Sequence, residues 1–257
     1  MIDLLYAELK RTWIQLIRYP TEVISGLVIT TAVFYGLFAS AQYIAGPGFA
    51  FGDRLDAVVV GYALWTLVLY INNDIAINLQ LEAQTGTLEQ VFLSPFGAAR
   101  VFLARAFASL VLRLVLLGAV LLMLMGLSGS RLAFPPLVIL PLVSLLMASY
   151  GLAFLLGAAA LVFKRVEQIL GIFQFLLLFL LAAPLEEAAG AMQQLRFLLP
   201  MIPSTGLLRD LMARGVDLDW SIYGLALVNG LAYLGFGLWV FRWAEVTAKQ
   251  RGSLSGY

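Results

Sequence analysis

Read as a string of apolar and polar positions, the chain alternates long apolar runs with short polar breaks. A helix that crosses a membrane needs about 20 apolar residues. Six runs are read as spans: 22–43, 57–79, 101–126, 137–162, 168–183 and 221–243. Ahead of them, Ile2, Leu5, Tyr6, Leu9, Trp13, Leu16 and Ile17 recur at helical spacing. Asp3, Glu8, Lys10, Arg11, Gln15 and Arg18 take the opposite face. This pattern predicts an amphipathic helix over 2–18 lying in the headgroup plane. Pro20 interrupts it, and there the chain can turn into the membrane. The expected fold class is an all-α polytopic membrane protein. A single transmembrane domain covers 1–257, with six transmembrane helices and an N-terminal interfacial helix.

Two breaks carry more than a turn. The first, Glu82 to Pro95, is the longest polar interruption in the first half of the chain. Thr87 and Gln90 have capping-box spacing, and Pro95 ends the helix at Ser94. Leu88, Val91 and Phe92 then share one face. A helix this short cannot bury that face alone; it packs on its own protein or is presented to a partner. The second break, 184–219, is too polar for a free span and too apolar for a solvated loop. It holds Pro184, Glu186, Glu187, Phe197, Pro200, Pro203 and a helix-like run from Leu207 to Gly215. A hairpin of short helices dipping into the outer leaflet fits. Irregular backbone at that depth must be packed by protein or line a wet cavity.

Composition supports the membrane reading. The chain is 62% hydrophobic and 12% charged, against about 45–50% and about 25% in soluble domains. Ala39-Ser40-Ala41 resembles a signal-peptidase site, but the run before it is long enough to span, so it is read as a retained first span. Lys and Arg fall ten to one side and five to the other, with Arg113 inside the third span. That asymmetry places both termini and the Glu82–Pro95 stretch in the cytoplasm. A net charge of +1 without a basic stripe excludes nucleic acid as a partner. With no Cys and no His, the commonest nucleophile, general base and metal ligands are missing. No metal site and no catalytic constellation is expected.

The polar residues inside the apolar runs differ in what they imply. Arg113 lies at least two turns into span three, and an intramembrane charge is a functional hypothesis by default. Asp74 sits at similar depth, and a structural pair between them is the favoured account. Asn72, Asn73, Asp74, Asn78 and Gln80 form a polar run, read as an interfacial helix end reaching water rather than a wet vestibule. Gln174 and Asn229 are read as interhelical hydrogen-bonding amides. Glu186 and Glu187 are adjacent and face apart on a helix, so they make a poor acid–base pair. They are read as an acidic edge at the outer mouth.

Taken together, the sequence resembles the membrane subunit of an ABC exporter of the ABC-2 (type V) class. Glu82-Ala83-Gln84-Thr85-Gly86-Thr87-Leu88-Glu89 through Ser94-Pro95 is similar to the signature that follows span two in that family. Ile202-Pro203, with the Leu208-Arg209-Asp210-Leu211 run up to Gly215, is similar to its segment before the last span. The six-span layout behind an amphipathic helix is the third likeness. The resemblance implies two such subunits, expected to be identical copies, each docking a separate ATP-binding subunit. Residues 82–95 would be the cytoplasmic coupling helix, with Glu82, Gly86, Thr87, Leu88, Glu89, Val91 and Phe92 docking the ATPase. The re-entrant outer hairpin, with Glu186, Glu187, Phe197, Pro200 and Pro203, would gate or line the path. The chain has no G-x-x-x-x-G-K-[ST], so ATP and Mg are expected on the partner and no cofactor on this chain. The expected role is export of an amphiphilic or lipid-like small molecule across the cell membrane. A lipid-linked polysaccharide is the alternative cargo, and a non-catalytic scaffold or channel is the second alternative.

Overall fold

The computed structural model describes residues 9–11, 13, 14, 17–45, 53–85, 98–162, 167–183, 185 and 197–250. Among these every regular element is helical. The long helices are α1 (Pro20–Ala45), α2 (Asp53–Thr85), α3 (Ala98–Ser128), α4 (Ile139–Val162), α5 (Glu167–Ala182) and α7 (Trp220–Gln250). Between α5 and α7 lie a short helix, α6 (Ile202–Arg209), and one π-helical turn, Asp210–Arg214. Among the described residues, four helical stretches are long and apolar enough to cross a membrane: Leu55–Ile77, Arg105–Ser128, Pro136–Leu161 and Trp220–Ala248. The expected first and fifth spans coincide with α1 and α5, whose apolar sections are shorter, Ile24–Ser40 and Leu170–Ala182. Of the expected 2–18 helix only residues 9–11, 13, 14, 17 and 18 are described; they are helical and exposed.

Helix α2 is the axis of the bundle. It has 33 residues, about 50 Å at 1.5 Å per residue. Of its apolar window 67% is buried, against 22% for α3 and 28% for α7. Packing around it explains why. α3, α4, α5, α6 and the π turn all rest on α2. α1 packs on α3 and reaches α2 through the Tyr62 hydroxyl, which donates to the Thr30 carbonyl at 2.8 Å.

The tightest pair is α4 with α7. A side chain at Gly151 would run into the backbone of Tyr233 and Leu234, and one at Gly237 into the backbone of Gly151. Glycine at both places lets the two backbones touch, as small residues do at membrane helix interfaces. Phe154 and Phe241, both fully buried, seal the joint edge-to-face at 5.2 Å. At the start of α7, Asp219 is the N-cap. Its carboxylate accepts from the Ser221 hydroxyl at 2.6 Å and from the Ser221 and Ile222 N–H groups at 2.8 and 3.3 Å. The Ser221 hydroxyl first, then those two amides, hold its carboxyl below the ordinary carboxylate value.

Candidate functional site

Helix geometry turns consecutive residues by about 100°, so Asn72, Asn73 and Asp74 leave α2 in three directions. Asp74 meets α3. Its Oδ1 accepts from Arg113 Nη2 at 2.8 Å and its Oδ2 from Nε at 3.3 Å. This is the two-pronged geometry that suits a guanidinium and a carboxylate. The Arg113 guanidinium also stacks over Tyr70, 4.7 Å from the ring centre. Both partners keep a little exposure, 23% and 21% of their side chains. Asn73 meets α5, accepting from Gln174 Nε2 at 2.8 Å. Asn72 is 1% exposed, and both of its amide atoms lack a partner among the described residues. For Asn72 the reading as a helix end reaching water is therefore corrected, since that side chain is enclosed. Asn73 and Asp74 tie α2 to α5 and α3, and the side chains of Asn78 and Gln80 lie outside the described ones.

A second polar arrangement occupies the Asp53 end of α2. α5 has 16 residues, about 24 Å of helix, less than the roughly 30 Å of a hydrocarbon core. A helix end enclosed by its own protein leaves its last carbonyls in need of donors. The Leu185 N–H, which a longer helix would offer to Leu181, turns back to Ala183. Arg209, from the end of α6, supplies the missing donors. Its Nη2 donates to the carbonyls of Leu181 and Ala182, and its Nη1 to Ala183 at 3.2 Å. Its Nε donates to Ala57 of α2 at 3.1 Å. The cation sits at the negative end of the α5 dipole and is 1% exposed. Gly61 makes the room, because a Cβ there would fall 2.5 Å from Arg209 Nη2 and against the Leu181 oxygen.

The segment before Arg209 is equally closed in. All eight residues of α6 are buried. Pro203 fits the first turn, where no helical donor is lost. Met201 caps the helix in a left-handed conformation, φ 66°. Its carbonyl accepts from Thr205 N and Oγ1 at 2.8 and 2.9 Å. Phe197 and Pro200 are half-buried, and Leu198 is 71% exposed.

The expected site residues divide as follows. Asp74 and Arg113 lie side by side. Phe197, Pro200 and Pro203 lie together around the entry to α6. Glu82 is on the last turn of α2. Gly86, Thr87, Leu88, Glu89, Val91, Phe92, Glu186 and Glu187 lie outside the described residues. Arg209 and Gly61 were missed as a site. Read from the sequence as an outer-side charge and as part of the Leu208–Gly215 run, Arg209 has backbone acceptors, which residue types do not announce. No group of three or more potential metal ligands occurs among the described residues. No protein-family model matches the chain, and no curated protein matches it.

Proposed function

We propose that this chain is the membrane subunit of an ATP-driven exporter of the ABC-2 type, working as a pair of subunits with two copies of a separate ATPase. The observation that carries the reading is Glu82 to Pro95, an E-x-x-x-G-T-L-E stretch ending in Ser-Pro, which begins on the last turn of the most buried of the four membrane-length helices. α2 continues without a break through Thr85 into that stretch. A partner docked there pushes on a rod that other helices grip along its length. The four long apolar helices and the buried α6 segment are compatible with six-span topology, both termini cytoplasmic and 184–219 at the outer face.

The cargo favoured is an amphiphile. The faces of α1, α5 and α7 away from the core are apolar, with Ile24, Ile172, Phe175, Phe179 and Trp239 exposed. The test is Leu88→Asp and Phe92→Asp. Burying a charge in place of an apolar anchor removes about 2 kcal/mol or more of binding, roughly 30-fold in affinity. ATPase co-purification and transport should fall while membrane insertion stays normal. Normal ATPase stoichiometry with normal transport in Leu88→Asp would overturn the docking assignment. Stimulation of hydrolysis by a lipid-linked glycan, and by no amphiphile, would replace the cargo.

A further inference from the structure

The buried segment before α7 is held by two kinds of bond on the two sides of Met201. On the C-terminal side, α6 is anchored through the Arg209 cation on four carbonyls of α2 and the α5 end. Pulling it free would strand a charge and the Leu181 and Ala182 carbonyls in an apolar interior. On the N-terminal side, the turn 197–200 is held by neutral groups of α7. Asn229 Nδ2 donates to the carbonyls of Phe197 and Leu199 at 3.0 and 3.1 Å. The Tyr233 hydroxyl donates to the Leu198 carbonyl at 2.8 Å. Such bonds between membrane helices are weak and exchangeable.

Asn229 also spans the boundary, its Oδ1 accepting from the Met201 N–H at 3.3 Å. Met201 itself is strained, a non-glycine residue at φ 66°. Residues held in this region collect at switches, where neighbours must enforce the conformation. Relaxing it to negative φ reverses the direction in which the preceding chain leaves α6. Met201 is completely buried, its sulfur 3.2 Å from the Ser149 hydroxyl on α4. The pivot is therefore packed in place, while the chain ahead of it is held through Asn229 and Tyr233.

We propose that residues 197–200 form a strap that swings about Met201 over a fixed base, α6, and that Asn229 and Tyr233 are its latch. The strap closes over the buried Ser149–Met201 contact, and release of the latch opens that end of the bundle without moving α6.

The chain has no cysteine, so single thiols report cleanly. Leu199→Cys reads the strap, and Ser204→Cys, 1% exposed on α6, reads the base. Each is placed in nanodiscs with both faces open to a polar maleimide. Tyr233→Phe, which keeps the ring and removes one bond, should speed labelling at 199 roughly threefold, and Asn229→Leu by about tenfold or more. Ser204→Cys should stay unreactive in both, and become reactive in Arg209→Met. Circular dichroism and a single size-exclusion peak check that each variant is folded. If Asn229→Leu exposes 199 and 204 together, the segment moves as one piece and the strap is overturned. Unchanged labelling at 199 in folded Asn229→Leu and Tyr233→Phe overturns the latch. The experiment uses this chain alone, with neither ATPase nor cargo, so it stands apart from the transport reading.

Discussion

Arg113 and Arg209 are both arginines held inside a helical bundle, and the molecule answers their charges in opposite ways. Arg113 meets a carboxylate on the neighbouring helix and keeps 23% of its side chain exposed. Arg209 is 1% exposed and is satisfied by carbonyls at a helix end. The first joins two helices by a bond between side chains. The second completes a helix that stops too soon. Charge in an apolar interior can thus serve a partner charge or serve the backbone, and the two uses should fail differently.

The largest effect is expected at Arg209. Arg209→Met leaves the Leu181 and Ala182 carbonyls without their donor and should destabilise the chain by about 1–3 kcal/mol for each. Arg209→Lys keeps the charge but lacks the fork, and should recover only part of that loss. Gly61→Ala pushes a methyl into the same cradle and should cost about 1–3 kcal/mol. Denaturant titration in mixed micelles measures all three. If Arg209→Met proves milder than Arg113→Met, the contrast between the two arginines collapses.

A smaller effect is expected at the other pair. Because both side chains retain some exposure, Asp74→Ala or Arg113→Met should destabilise by about 1–2 kcal/mol, below the fully buried range. The double variant should be less destabilised than the sum of the singles, since neither charge is then left alone. Strict additivity would show that the 2.8 Å contact contributes nothing.

How much of this could be read beforehand follows from the same contrast. Apolar runs announce helices, and the four membrane-length helices fall on four of the expected spans. Opposite charges at matching depth in two runs can be paired by type, so Asp74 and Arg113 were considered together. Arg209 could not be, because its acceptors belong to the backbone of Ala57, Leu181, Ala182 and Ala183, whose side chains say nothing about hydrogen bonding. The run 168–183 falls on α5 to within a residue at each end, but its residues do not announce that the carbonyls at that end are taken by a side chain from α6. Asn72 was misread because a polar residue beside Asn73 and Asp74 resembles a wet helix end. Only packing reveals that it faces inward.

The smallest effect is expected at Asp219, where the arrangement is reversed: an exposed anion is held by backbone donors at a helix start. Its folded carboxyl lies below the ordinary value because Ser221 and Ile222 bond the charged form. The stabilisation is therefore complete above the unfolded pKa and is lost as pH falls through the lowered folded one. The thermal midpoint should decline slightly across that acid range, and the decline should shrink in Asp219→Asn, which keeps an acceptor without the titrating charge. An identical decline in Asp219→Asn would assign it to other carboxylates.

The backbone contact between Gly151 and Gly237 also bears on the order in which the molecule is made. A ribosome delivers α4 long before α7, so the glycine face of α4 and the carbonyls of Phe197, Leu198 and Leu199 are all synthesised without their partners. Arg209 can seat as soon as α2, α5 and α6 are in place. α7 must then arrive with Gly230, Asn229, Tyr233 and Gly237 in register, docking on α4 and gathering the waiting turn in one event. Packing of the described bundle thus waits on α7, and a chain halted before Asn229 would leave the glycine face of α4 and the turn 197–200 without their partners.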